Sequence, residues 1–217
     1  MNSLIDLTAE GDTLLHLVRH GATPPNLVDP PVMQGDGIDE PLAPIGREQA
    51  ERVAGALATR PIAAVYSSPL QRAMETGGAI AERHGVRVTA VDALREVNVG
   101  EWLGSNWPDI ERRFPDRYRA FREDPGKNGY PGGETLQQLL DRVTAALGDL
   151  AAKHPGGEIA VTAHSVVNRV YVSSLLGISL AEGYFIPQAN CCVNLIRFRN
   201  GKPKLIAFNA VAHLMGA

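Results

Sequence analysis

Arg19 and His20 close an apolar run in "LVRHGATPPN", which spans Leu17 to Asn26. A guanidinium is a planar, permanently charged fork that matches phosphate or carboxylate oxygens. A neutral imidazole nitrogen can act as a nucleophile or a base. Two further strand-like runs end in the same chemistry. "VYSSPLQRAMET" carries Arg72 into the first turn after a strand, and "EIAVTAHS" ends at His164. In a parallel sheet these ends share one edge, where open α/β sheets bind their ligands. Helix N-termini at that edge add N–H donors and the favourable end of the macrodipole. A histidine inside such a cage could attack phosphorus while arginines and a second histidine stabilise the phosphoryl group in flight. A leaving alkoxide then needs a proton, and "LREVNVGEW" offers Glu96 and Glu101. Ser67, Ser68 and Ser165 lack the GxSxG elbow of a serine hydrolase.

These groups need elements to carry them. Leu14 to Val18 reads as a short buried strand. Residues 22–44 form a proline-rich loop of the length that often serves function. Pro44 opens a helix whose apolar positions are Ala50, Val53, Ala54 and Leu57. Ala63 to Tyr66 is a second strand, Pro69 opens a helix to about His84, and Val86 to Thr89 is a third strand. Residues 92–133 are irregular, with one or two short helices near 106–123 broken by Pro115. Glu134 to Lys153 is the clearest helix, with Leu136, Leu139, Leu140, Val143, Leu147 and Leu150 on one face. A strand at Glu158 to Ala163 and a helix at Ser165 to Leu176 follow. Cys191 to Phe198 and Leu205 to Phe208 pair as strands around the Asn200-Gly201 turn. The alternation predicts an α/β fold: one domain over residues 1–217, built as a three-layer α/β/α sandwich on a mostly parallel sheet.

Composition excludes several classes. The chain has 217 residues, 44% hydrophobic and 21% charged, with a net charge of −3. No broad basic surface favours nucleic acid. Adjacent Cys191 and Cys192 give neither a disulfide framework nor metal spacing, which fits a reducing, cytoplasmic setting. No signal peptide or membrane span is expected.

Six motifs in one order carry a family resemblance. Arg19-His20-Gly21 with Thr23 and Asn26, "PLAPIGREQA", "VYSSPLQRAMET", "LREVNVGEWLG", and "PGGET" followed by "VTAHS" resemble the histidine phosphatase superfamily, of phosphoglycerate-mutase-like fold, over almost the whole chain. The resemblance implies a phosphomonoesterase. His20 would be the phosphorylated nucleophile, and Glu96 the proton donor to the leaving group. Arg19, Arg72 and His164 would bind the phosphoryl group with help from Asn26. No metal or organic cofactor is implied. Thr23, Gln34, Gly35 and Ser165 are further candidates for contact with substrate. Three positions depart from the family pattern: Ser165 stands where glycine is usual, Leu103 where a glutamate is common, and Ala43 where a capping threonine is common.

The expected substrate is a small phosphorylated metabolite, and a homodimer is compatible with the sequence. A bisphosphoglycerate-dependent mutase is the first alternative. It is weakened because residues 21–46 hold no lysine or arginine, yet include Asp29, Asp36, Asp39 and Glu40. A non-catalytic module that binds phospho-ligands or protein is the second. The helical insertion at about 102–132 is expected to act as a lid. Its aromatic residues Trp107, Phe114, Tyr118, Phe121 and Tyr130 would pack it on the core, and one of Arg112, Arg113, Arg117, Arg119 and Arg122 could reach a substrate anion. The remaining candidates read as structural. Cys191 and Cys192 would fill a buried strand, His16 and His213 would pack internally, and His84 and His154 would lie on exposed helix ends. Glu101 would be an ordinary loop carboxylate.

Overall fold

The computed structural model describes residues 11–215. The apolar runs form one six-stranded sheet. Its strands are Thr13–Arg19 (β1), Ile62–Ser67 (β2), Val88–Ala90 (β3), Glu158–Ala163 (β4), Val193–Arg199 (β5) and Lys202–Ala210 (β6). The spatial order is β3-β2-β4-β1-β5-β6. The first four are mutually parallel, while β5 runs antiparallel to β1 and β6 to β5. The fold is therefore an α/β sandwich on a mixed sheet that is parallel where it carries the motifs. The β5–β6 hairpin turns at Asn200 and Gly201, at φ of 50° and 72°, as a type I′ turn demands.

Helices cover both faces. They are Pro24–Leu27 (α1), Pro44–Leu57 (α2), Gln71–His84 (α3), Trp107–Arg113 (α4), Pro115–Glu123 (α5), Pro125–Asn128 (α6), Leu136–Ala152 (α7), Ser165–Leu176 (α8) and Leu180–Gly183 (α9). On one face Ala50, Val53, Ala54 and Leu57 of α2 and Ile80 and Ala81 of α3 pack on Val18, Val65 and Ala160. On the other, the leucine face of α7 joins Val167, Val170 and Tyr171 of α8 over Leu15, Leu17, Ile159 and Val161. Successive strand residues thus feed opposite cores, the period-2 rule of a sheet covered on both sides.

Several boundaries differ from those the sequence predicts. Helix α3 begins at Gln71 rather than Pro69. The chain stays extended through Leu70 (ψ 137°), and the Asp39 carboxylate accepts the Gln71 N–H at 2.6 Å. β3 is Val88–Ala90, two residues later at its start. The long loop contains α1, while the expected break at Pro115 falls between the two short helices α4 and α5. Cys191 and Cys192 are buried but precede β5. Cys191 sits at φ 55°, and its N–H bonds the Arg19 and His20 carbonyls in a turn. His84 and His154 are half-buried, not exposed, and His154 Nε2 meets the Tyr66 hydroxyl at 2.8 Å. His16 is buried as expected, with Nε2 2.9 Å from Glu158, and His213 contacts the Cys191 carbonyl. Ala43 is the N-cap of α2 and gives no side-chain cap.

Candidate active site

Three strand ends meet at one edge. Arg19 is in register with Ala163, and Ser67 with Thr162. The ladder runs on past the strands, with His20 N–H to Ala163 O and Ser68 N–H to Thr162 O. His20 and His164 therefore leave adjacent strands side by side, with ring centroids 5.2 Å apart.

The hydrogen bonds fix what each ring can do. His20 Nδ1 lies 2.7 Å from the Gly21 carbonyl, which can only accept, so Nδ1 holds the proton. The Nε2 lone pair has no partner among the described residues and opens on the cavity. Burial first, and then the charges of Arg19 and Arg72, hold the His20 pKa well below the usual histidine value. His164 is lowered likewise, by burial and then by Arg72. Both rings are neutral at neutral pH, the state a nucleophilic imidazole requires.

Arg72 is 1% exposed. Its two terminal nitrogens donate to Gly35 O and Ile38 O, each at 2.8 Å, which straps the 34–39 loop over the site. Arg19 donates to the Gln188 carbonyl. Burial lowers its guanidinium to about 10, and lowers Arg72 as well. Three buried nitrogens of this cluster have no partner among the described residues: Arg19 Nε, Arg72 Nε and His164 Nδ1. A buried donor left unmade costs about 1–3 kcal/mol. An anion placed against these groups would recover that cost.

Glu96 is 7% exposed. Its carboxyl oxygens accept the N–H groups of Val97 (3.0 Å), Val166 (3.2 Å) and Val167 (3.3 Å), so the N-terminus of α8 sets its orientation. Arg142 of α7 fixes the backbone of this segment. It donates to the Ala93, Arg95 and Glu96 carbonyls while paired with Glu134. The "PGGET" stretch touches the same loop through Glu101 N–H to Pro131 O and Glu134 N–H to Asn98 O. The acid motif and the glycine motif are therefore one structural unit.

Arg19, His20, Arg72 and Glu96 line a cavity of about 130 Å³ together with Asn26, Gln34, Gly35 and Ser165. His164 is fully buried beside His20 and is not part of that lining. Asn26 Oδ1 accepts from the Thr23 N–H and hydroxyl, so its Nδ2 is left to donate. Thr23 itself is fully buried. It stands behind the wall, bonded to Asn26 and Gln34, instead of lining it. Glu101 lies outside, paired with Arg117.

The family profile described as the histidine phosphatase superfamily (branch 1) matches residues 15–211. The chain belongs to that superfamily. A metal-independent phosphoserine phosphatase of Arabidopsis thaliana is 34% identical over 96% of this chain and 87% of its own. Among solved structures, Bacillus stearothermophilus YhfR superposes with a TM-score of 0.87 at 26% identity, covering 94% of this chain and 100% of its own. A phosphoserine phosphatase of Entamoeba histolytica, in complex with 3-phosphoglyceric acid, gives 0.81 at 27% identity, with coverage of 94% and 100%.

This histidine phosphatase has site residues that its sequence did not reveal. Val32, Met33, Val99, Tyr130 and Tyr184 also line the cavity. The Tyr130 and Tyr184 hydroxyls bond each other at 2.8 Å. Two hydroxyls hold two protons and this contact uses one, so one O–H has no acceptor among the described residues. Fifty-four positions separate the two tyrosines, and no local pattern links them. The arginines of the insertion behave otherwise than expected. None lines the cavity. Arg112 pairs with Asp109, Arg117 with Glu101 and Arg119 with Asp116, while Arg113 and Arg122 stack on Phe114 and Phe185. The insertion's aromatic residues pack around buried Trp102, as predicted.

Proposed function

We propose that the chain hydrolyses small phosphate monoesters through a phosphohistidine at His20. The observation that carries this reading is the ring of three unpartnered donors, on Arg19, Arg72 and His164, beside the free Nε2 of His20. The donors hold three phosphoryl oxygens while Nε2 attacks phosphorus in line with the ester oxygen. The N–P bond forms, the P–O bond breaks, and Glu96 gives its proton to the departing alkoxide. Glu96, now ionised, takes a proton from the incoming water. That water's oxygen attacks phosphorus, phosphate leaves and neutral His20 returns. Asn26 Nδ2 adds a donor at the phosphate rim.

The cavity's far wall supports a compact leaving group. Its side chains are apolar except for the tyrosine pair, whose spare O–H suits a carboxylate or carbonyl oxygen. Asp36 and Asp39 lie near Arg72 and make the entrance acidic. That field opposes a second phosphate and favours an ammonium group. Phosphoserine carries both a carboxylate and an ammonium, and it is the first substrate to try. The 102–132 insertion touches the cavity through Tyr130, which gives it a role in closing over the leaving group.

The test is phosphate release from a panel of phosphorylated metabolites by purified protein in EDTA. Turnover should persist with the chelator and vanish in His20→Ala. Glu96→Gln should slow serine phosphate far more than an aryl phosphate, whose leaving group needs no proton. Loss of activity in EDTA, or full activity in His20→Ala, would refute the proposal.

A further inference from the structure

Ser68 is buried at the end of β2 and belongs to no step described above. Its hydroxyl lies 2.7 Å from His164 Nε2, and neither residue is exposed to solvent. The same oxygen accepts the Leu70 N–H at 3.3 Å. The neighbouring hydroxyl of Ser67 is turned to the Ser68 carbonyl and offers no alternative partner. Among the described residues the Ser68 proton therefore has one acceptor within reach, the imidazole of His164.

A neutral imidazole carries one proton, on Nδ1 or on Nε2. With the proton on Nε2, the ring would donate to Ser68, and the serine proton would be stranded in a fully buried site. His164 Nδ1 would then present a lone pair to the phosphoryl site, against an oxygen that also has only lone pairs. With the proton on Nδ1, Ser68 and Nε2 are both satisfied, and only the Nδ1–H awaits a partner. Ser68 donates to Nε2, and Nδ1, which has no partner among the described residues, becomes a donor beside His20. We propose that Ser68 is a positioning residue that locks His164 in its Nδ1–H tautomer, so that the ring donates a hydrogen bond to the transferring phosphoryl group. The opposite tautomer, Nε2–H, is the one the free histidine side chain prefers in water, so the protein must impose this choice. Partners of this kind commonly fix the tautomer of functional histidines.

The consequence for phosphate rests on the phosphatase reading, but the tautomer does not. The experiment is two-bond ¹H–¹⁵N correlation on ¹⁵N-labelled protein at neutral pH, with His164 assigned by its loss in His164→Gln. The wild-type ring should carry its proton on Nδ1. In Ser68→Ala the proton should move to Nε2, and inhibition by orthovanadate should weaken about tenfold to a hundredfold, the scale of one hydrogen bond to a charged group. Ser68→Thr keeps the hydroxyl and should restore both. A wild-type ring protonated on Nε2 would overturn the proposal without any variant. An unchanged tautomer with unchanged vanadate inhibition in Ser68→Ala would also overturn it. An Nδ1–H ring in a protein that hydrolyses no ester would support the Ser68 assignment and refute the phosphatase reading.

Discussion

Gly46 of α2 packs directly on the backbone of Ala22, and replacing it with alanine should disable the nucleophile from a distance. A Cβ at Gly46 would stand 2.0 Å from the Ala22 carbonyl oxygen and 2.8 Å from the Ala22 nitrogen. Ordinary contact begins near 3.4 Å, so the two backbones must part by about 1.4 Å. Neither side can yield by rotating a side chain, because both are main chain. The same Ala22 carbonyl accepts the Ala43 N–H at 2.9 Å, and that bond would open. Ala22 lies two residues after His20, whose ring is held by the Gly21 carbonyl. Strain of this kind costs about 1–3 kcal/mol, with about 1 kcal/mol more for the hydrogen bond. For a chain of this size that lowers Tm by roughly 5–15 °C. A displacement near 1 Å at a reacting atom costs on the order of 100-fold in rate. Gly55 is the control. It lies in the same helix with nothing within 4 Å of its Cβ position, so Gly55→Ala should stabilise by about 0.5–1 kcal/mol through helix propensity. Thermal melts and kcat/KM on one phosphate ester measure both variants. Equal Tm and equal activity for the two would refute the argument.

Two more expectations follow from the site. His20 and His164 have folded-state pKa values well below the ordinary value of 6.5. As pH falls below 6.5 the unfolded chain binds protons at both residues while the fold does not. Stability must therefore drop with falling pH, by up to about 1.4 kcal/mol per pH unit for each histidine, until the folded-state values are reached. Urea melts between pH 7 and 5 measure the slope, and His164→Gln should reduce it; a slope indifferent to that variant would contradict the shifts. Tyr130→Phe removes one hydroxyl of the cavity pair. It should raise KM for phosphoserine several-fold and leave an aryl phosphate unchanged, which steady-state kinetics on the two substrates would reveal.

The legible parts of this fold are those that local patterning determines. β4 and α8 fall on the expected residues, because a continuous apolar run ending at His164 is followed at once by a helix with a buried face. Pro44 likewise marks the first turn of α2. The start of α3 was not legible, since its cap is Asp39, 32 residues upstream. The predicted cage of Arg19, His20, Arg72, Glu96 and His164 comes together because each sits at a strand end, in the first turn of the helix that follows one, or on a loop nearby. The support around it was invisible. Arg142 reads in sequence as one more helix cation, yet it donates to three carbonyls of the Glu96 segment. The tyrosine pair depends on contact between the insertion and a residue beyond α8. The insertion's arginines showed the reverse error: as a cluster they looked like an anion site, but nearby carboxylates and aromatic rings occupy them.

The most direct test of the account is the location of the phosphoryl group during turnover. The protein is mixed with a phosphate monoester, quenched in alkali within milliseconds, digested and mapped by mass spectrometry. The account predicts a base-stable, acid-labile phosphoryl group on Nε2 of His20. Phosphate on any other residue, or steady turnover with no phosphoenzyme at any quench time, would contradict it.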